Sequence, residues 1–129
     1  MRTATANYNF SGCDVLVTGG TSGIGYGIAK AFDEAGANVM VTGTRSSIAD
    51  YDDINLANFK YYQLQLTDTE AIYALGASIK KLDFLVNNAG GNLLFKKGGE
   101  WEPKNFEESI RINLLSGFHM TTSVMEHLK

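Results

Sequence analysis

A single cysteine, Cys13, stands alone in the chain, so no intrachain disulfide can form, which fits a reducing compartment. Lying just before an apolar stretch, it reads as a small packed residue and not as a reactive thiol. There is one proline, Pro103, and there is neither an internal repeat nor a low-complexity tract. The two histidines, His119 and His127, have no carboxylate or serine partner at a suggestive spacing. They read as helix-surface or interface residues, and no metal site is expected. No stretch approaches the ~18 apolar residues needed to span a bilayer, and Met1 to Phe10 lacks the apolar run of a signal sequence. The expected compartment is the cytoplasm. Net charge is 11 − 14 = −3, so no general field draws nucleic acid or anionic lipid. The basic pairs Lys80-Lys81 and Lys96-Lys97 read as solvated surface.

What the chain does contain is an ordinary globular composition. With 129 residues and a 44% apolar fraction, it can build one domain with a core, and it is too short for two. Strand, turn and helix recur. Val15 to Thr18 is a short apolar run ending at glycine, as in a strand covered on both faces. From Ile24, the residues Ile28, Ala31, Phe32 and Ala35 form a helical stripe closed by Gly36. Asn38 to Thr42 reads as a second strand, Ser46 to Asn58 as a weakly periodic stretch with a short helix, and Tyr61 to Leu66 as a third strand. Thr67 to Glu70 matches a capping box, with Ile72, Leu75 and Ile79 continuing that helix. Leu82 to Val86 is a fourth strand, and a long helix is expected from Asn105 to Leu128.

That last helix is apolar on more than one side. Phe106, Ile110, Leu114 and Gly117 form one row, and Ile112, Leu115 and Phe118 lie elsewhere, so cover is expected on both sides. Alternating strands and helices imply an α/β fold: a parallel sheet with right-handed crossovers and the strand order 3-2-1-4. Ligands of such sheets bind beyond the strand C-termini, at the switch point between the first and fourth strands.

Two motifs flank that point. Thr18-Gly19-Gly20-Thr21-Ser22-Gly23-Ile24-Gly25 follows a strand and opens a helix. Its glycines permit a tight turn and a close ligand, and the helix N-terminus offers N–H groups to a pyrophosphate. Across the crevice, the fourth strand runs into Asn87-Asn88-Ala89-Gly90, small and amide residues that leave room for a ribose. Together with Asn113 in the last helix, these motifs resemble the short-chain dehydrogenase/reductase family, from about Phe10 to Lys129.

The resemblance implies the N-terminal part of a Rossmann-type doubly wound domain that binds a nicotinamide dinucleotide. It implies that Gly19, Thr21, Ser22, Gly23, Ile24 and Gly25 line the cofactor phosphates and that Asn87, Ala89 and Gly90 border the adenosine ribose. Gln65 and Leu66 take the adenine side, although the family usually has an aspartate where Gln65 stands. Asn113 matches a helix asparagine whose backbone helps hold a water in the proton relay, the one catalytic position assigned here. The family moves a hydride between nicotinamide and a carbonyl or alcohol carbon, using a tyrosine whose pKa a nearby lysine lowers. That Tyr-x-x-x-Lys pair and its serine follow a fifth strand, which would begin where this sequence ends. The match Tyr26-Gly-Ile-Ala-Lys30 sits on the first helix behind the glycine loop and is a decoy.

Cofactor preference is read after the second strand, where NAD needs a carboxylate for the ribose 2′-OH. Here Val41 to Ser47 holds no acid before Asp50. Thr44, Arg45 and Ser46 can instead donate to a 2′-phosphate, so NADP is expected over NAD. Without a fifth strand, Leu82 to Val86 becomes an apolar edge that invites another chain. A homo-oligomer through that edge, the last helix, or both is therefore expected. Three functions fit: a reductase piece inactive alone, a non-catalytic dinucleotide-binding or assembly protein, and an enzyme with substitute residues. The first is preferred. The loop Gly91 to Glu102 offers at most one wall of a substrate pocket and names no substrate.

Overall fold

Val15, Leu16 and Val17 are fully buried, and their alternation decides the layering of the molecule. Successive side chains of a strand point to opposite faces. Val15 and Val17 therefore join one core with Val39, Val41 and Ala29, whereas Leu16 joins another with Leu64, Ile72, Leu82, Met120 and Val124. The computed structural model, which describes residues 2–52, 54–91 and 97–129, is thus a sheet covered on both faces. Its elements are β1 (Asp14–Val17), α1 (Gly23–Glu34), β2 (Asn38–Gly43), β3 (Lys60–Gln63), α2 (Thr69–Ser78), β4 (Phe84–Val86), α3 (Pro103–Ile110) and α4 (Ser116–Val124). The four strands are parallel in the order β3-β2-β1-β4, the doubly wound arrangement expected. α1 covers one face; α2 and α4 cover the other.

Several boundaries differ from the sequence reading. β3 stops at Gln63, where β2 runs out at Gly43 and no ladder partner remains, so Gln65 and Leu66 lie in the turn beyond it. The N-cap of α2 is Asp68, not Thr67: its carboxylate accepts the N–H of Ala71 at 3.0 Å. A charged acceptor there also complements the helix dipole. The weak stretch after β2 yields a single 3₁₀ turn, Ile48–Asp50, capped by Ser47.

The expected long helix is continuous but not α-helical throughout. A π-helical turn, Arg111–Leu115, separates α3 from α4, and a 3₁₀ turn, Met125–His127, ends the chain's helical part. The wider turn shifts the register. Ser116, Met120 and Val124 face inward, while Phe106, Leu114 and Phe118 are more than half exposed. The sheet covers one of the two sides on which cover is expected. β4 forms one edge of the sheet, and Phe84 on it packs against Phe10 and Phe32 at ring separations of 5.4 and 6.0 Å. Lys81 spans Asp14 and Asp83 at 3.3 and 3.9 Å on the surface. Residues 92–96, in the loop between β4 and α3 and including Lys96, lie outside the described residues.

α2 meets α4 at Gly76, where an added Cβ would stand 2.4 Å from the Ser123 hydroxyl and 2.7 Å from the Ser123 carbonyl oxygen. Gly76→Ala would gain up to about 1 kcal/mol of helix propensity but overpack a backbone contact at about 1–3 kcal/mol. A net loss is expected, read as a lower urea midpoint. An unchanged or raised midpoint would show that α2 and α4 can separate freely.

Candidate functional site

Beyond Val17 the chain leaves the sheet but stays tied to it. Thr18 N–H donates to the Val86 carbonyl at 3.1 Å. The Thr18 hydroxyl oxygen accepts the N–H groups of Asn88 and Ala89 at 3.2 and 3.1 Å. In return the Asn88 amide donates to the carbonyls of Thr18 and Gly19 at 3.1 and 3.2 Å. The Gly19 N–H is taken by the Thr42 hydroxyl of β2 at 3.1 Å. The loop after β1 is thereby sewn to the strands on both sides of it.

The loop can follow this path because Gly19 and Gly23 adopt φ of +64° and +52°, a region costly for residues with a Cβ. Gly25 lies against the loop itself, since a Cβ there would stand 2.2 Å from the Gly19 carbonyl oxygen. An added Cβ at Gly23 meets nothing within 4 Å, because that position borders an open cleft. The cleft has a volume of about 510 Å³ and runs from the end of β2 past the start of α1 to the residues after β4. Ser22, the N-cap of α1, makes no side-chain capping bond. The first N–H groups of that helix therefore have no side-chain acceptor and suit an anion.

The β2 end of the cleft is built around two tyrosines. The Tyr51 hydroxyl accepts the Arg45 N–H at 3.2 Å and lies 3.1 Å from the Tyr61 hydroxyl, which donates to the Arg45 carbonyl. The Arg45 guanidinium carbon sits 4.8 Å from the centre of the Tyr51 ring, and one of its N–H groups goes to the Asp50 carbonyl. Burial alone would raise the Tyr51 pKa; its hydrogen bonds with Tyr61, Arg45 and Thr21, together with the Arg45 charge, outweigh it and bring the value below that of ordinary tyrosine. Burial and the bond to Tyr51 push the Tyr61 hydroxyl up, so it remains a protonated donor.

A family description, short chain dehydrogenase, matches residues 14–129. The chain belongs to the short-chain dehydrogenase family. It is similar to 2-dehydro-3-deoxy-D-gluconate 5-dehydrogenase of Bacillus subtilis (strain 168), 32% identical over 127 residues, covering 94% of this chain and 50% of that protein. It is also similar to the 3-oxoacyl-(acyl-carrier-protein) reductase FabG of Escherichia coli (strain K12), 37% identical over 126 residues, with 91% and 50% covered. Among solved structures, the citronellol catabolism dehydrogenase AtuB of Pseudomonas aeruginosa PAO1 superposes with a TM-score of 0.76 at 28% identity, covering 95% of this chain and 53% of that one. The chain spans about half the length of the curated relatives it matches.

Of the positions singled out from the sequence, Gly19, Thr21, Ser22, Gly23, Ile24, Gly25, Thr44, Arg45, Leu66, Ala89 and Gly90 all line the cleft. Gln65 does not: its amide donates to the Thr44 carbonyl at 3.2 Å, beside Gln63 at 3.0 Å. Asn87 turns the other way, donating to the Thr121 hydroxyl at 2.8 Å. It faces a separate space of about 40 Å³ shared with Asn113. Asn113 lies in the π-helical turn, and its amide pairs with both backbone groups of Gly91 at 2.9 and 3.1 Å. The decoy stays apart: Tyr26 reaches the Asn55 carbonyl at 3.5 Å and Lys30 pairs with Glu34 at 3.7 Å.

Asn88, Thr42, Tyr51 and the Thr18 hydroxyl belong to the site, and sequence reasoning missed them. The Asn-Asn pair carried a signal, but only the strand's final register decides which amide turns toward the glycine loop. Asn88→Ala leaves two carbonyls without that donor and is expected to cost about 1–3 kcal/mol, measured by denaturant unfolding. Hydrogen exchange of residues 18–25 should quicken in the same variant. Unchanged exchange there would mean that the amide does not hold the loop.

Proposed function

We propose that this chain is the nucleotide-binding part of an NADP-dependent reductase, which moves a hydride between nicotinamide and a carbonyl or alcohol carbon, and that it is inactive by itself. The observation that carries this reading is the cleft. It is bordered by an uncapped helix N-terminus, a glycine position open to the space, and Arg45 at the far end. In this reading Gly19 to Gly25 accommodate the pyrophosphate, and Thr44, Arg45 and Ser46 receive a 2′-phosphate. Ala89 and Gly90 leave room for the ribose, and Leu66 lies on the adenine side. The dinucleotide supplies the hydride; the protein binds and orients it.

Support for the phosphate preference comes from what surrounds Arg45. The nearest acid after β2, Asp50, has a carboxylate oxygen 3.1 Å from the Ser47 N–H, where it caps the 3₁₀ turn, so its carboxylate is engaged by the backbone and not offered to a ribose 2′-OH. Both curated relatives named above carry names of carbonyl or alcohol oxidoreductases with different substrates, so the reading goes no further than that class. Asn113 clamps Gly91, at the start of the loop after β4. In this reading Asn113 is the helix asparagine whose backbone helps hold a water in the proton relay, while the acid–base tyrosine and lysine are not among these residues. The cytoplasm and a homo-oligomer belong to the same reading. The latter is supported by the half-exposed apolar edge at Phe84 and by exposed Phe106, Leu114 and Phe118. No described helix is long and apolar enough to cross a membrane.

Calorimetric titration tests the reading directly. NADPH should bind more tightly than NADH. Arg45→Ala should lower NADPH affinity about 10- to 100-fold, the value of a lost charge-assisted bond, with NADH unaffected. Equal affinities, or no binding of either nucleotide at millimolar concentration, would sink it. Turnover of simple ketones with NADPH by this chain would overturn the inactivity. Light scattering should give a dimer or larger at micromolar concentration, and a stable monomer would refute the oligomer.

A further inference from the structure

Arg45 lies beyond the last residue of β2, Gly43, where no strand partner can fix its backbone. An arginine in such a place has a mobile side chain, and ordering it on a ligand costs affinity. Here both backbone groups of Arg45 are nonetheless taken by phenols. Its N–H goes to Tyr51, its carbonyl receives Tyr61, and the two hydroxyls meet at 3.1 Å. The guanidinium then lies over the Tyr51 face, a cation–π contact of 4.8 Å that fixes its plane.

Tyr51 is itself held in place. The 3₁₀ turn Ile48–Asp50 delivers it, and that turn is set by the reciprocal bonds of Ser47 and Asp50. Its hydroxyl occupies the space a Cβ would need at Gly43, 2.2 Å away, beside the Thr21 methyl. Tyr51 and Arg45 both line the cleft.

We propose that Tyr51 is a specificity-determining residue of the nucleotide cleft, a positioning residue that pre-orders the Arg45 guanidinium for a 2′-phosphate through its ring face. The proposal rests on the NADP reading above. Of the five N–H donors of a guanidinium, one goes to the Asp50 carbonyl, which leaves the group oriented but not used up. The tyrosine needs no contact with the phosphate. It acts by removing the ordering cost that a free arginine would bear on binding.

The test is calorimetry of the 129-residue chain with NADPH, NADH and 2′,5′-ADP. Tyr51→Leu removes the face and should weaken NADPH and 2′,5′-ADP about tenfold, with NADH changed less than about twofold. Tyr51→Phe keeps the face and should stay within about threefold of the wild type for all three. On an Arg45→Ala background, Tyr51→Leu should have no further effect, because the two residues act as one unit. If Tyr51→Leu does not fold, Tyr51→Gln, which can still accept the Arg45 N–H but has no face, takes its place. Equal losses for NADPH and NADH, or an undiminished loss on the Arg45→Ala background, would overturn the proposal and leave Tyr51 a wall of the cleft. A wild-type chain that does not prefer NADPH, or an Arg45→Ala that binds NADPH as before, would instead remove the reading beneath it.

Discussion

The exchange of hydrogen bonds between Thr18 and Asn88 is the constraint from which the rest of the site follows. Two strands that are neighbours in the sheet but about 70 residues apart in the chain must end at the same level for a crevice to open above them. One hydroxyl accepts two N–H groups from the far strand's exit, and one amide returns two donors to the near strand's exit. These groups are partly buried, where an unmade bond costs about 1–3 kcal/mol each. The loop after β1 cannot drift without leaving several of them unpaired. The positive φ of Gly19, the close approach at Gly25 and the opening beside Gly23 all depend on that fixed origin.

From there the architecture works outward. Parallel strands feed helices to both faces, and the alternation of Val15, Leu16 and Val17 supplies apolar anchors to each. The N-terminus of α1 is delivered to the cleft by the same turn that the Thr18–Asn88 exchange secures. The opposite wall is built differently. β2 and β3 end together at Gly43 and Gln63, and past that point the backbone of Thr44 and Arg45 is held by side chains alone: Gln63, Gln65, Tyr51 and Tyr61. One wall of the cleft is thus fixed by backbone strain that glycine relieves. The other is fixed by a polar network that covers a loop with no ladder.

Much of this is legible in the order of the amino acids. The glycine loop and the strand order follow from local signals, and eleven of the positions proposed from the sequence line one cleft. An apolar run ending in glycine before a helical stripe admits few conformations, and a parallel sheet with right-handed crossovers admits few orders. What escaped was whatever depends on partners distant in the chain. Gln65 resembles an adenine contact by position, yet its amide serves the Thr44 carbonyl. Asn87 and Asn88 are the same residue type, and only the register of β4 decides which one faces the glycine loop. The π-helical turn around Asn113 left no periodic signature, since a single widened turn only shifts an apolar stripe that was already broad.

The order of residues by itself determined the alternation of strands and helices, the glycine turn after the first strand and the presence of a cation after the second, because each is read from residues close together in the chain, and its motifs carried the resemblance to the family. The tertiary structure decided how the two halves of the crevice are latched together and which of two asparagines does it. It also decided how an exposed arginine is held against an aromatic face. Those outcomes turn on hydrogen bonds and ring contacts between segments that meet only when the sheet has closed, and no local pattern encodes the register at which they meet.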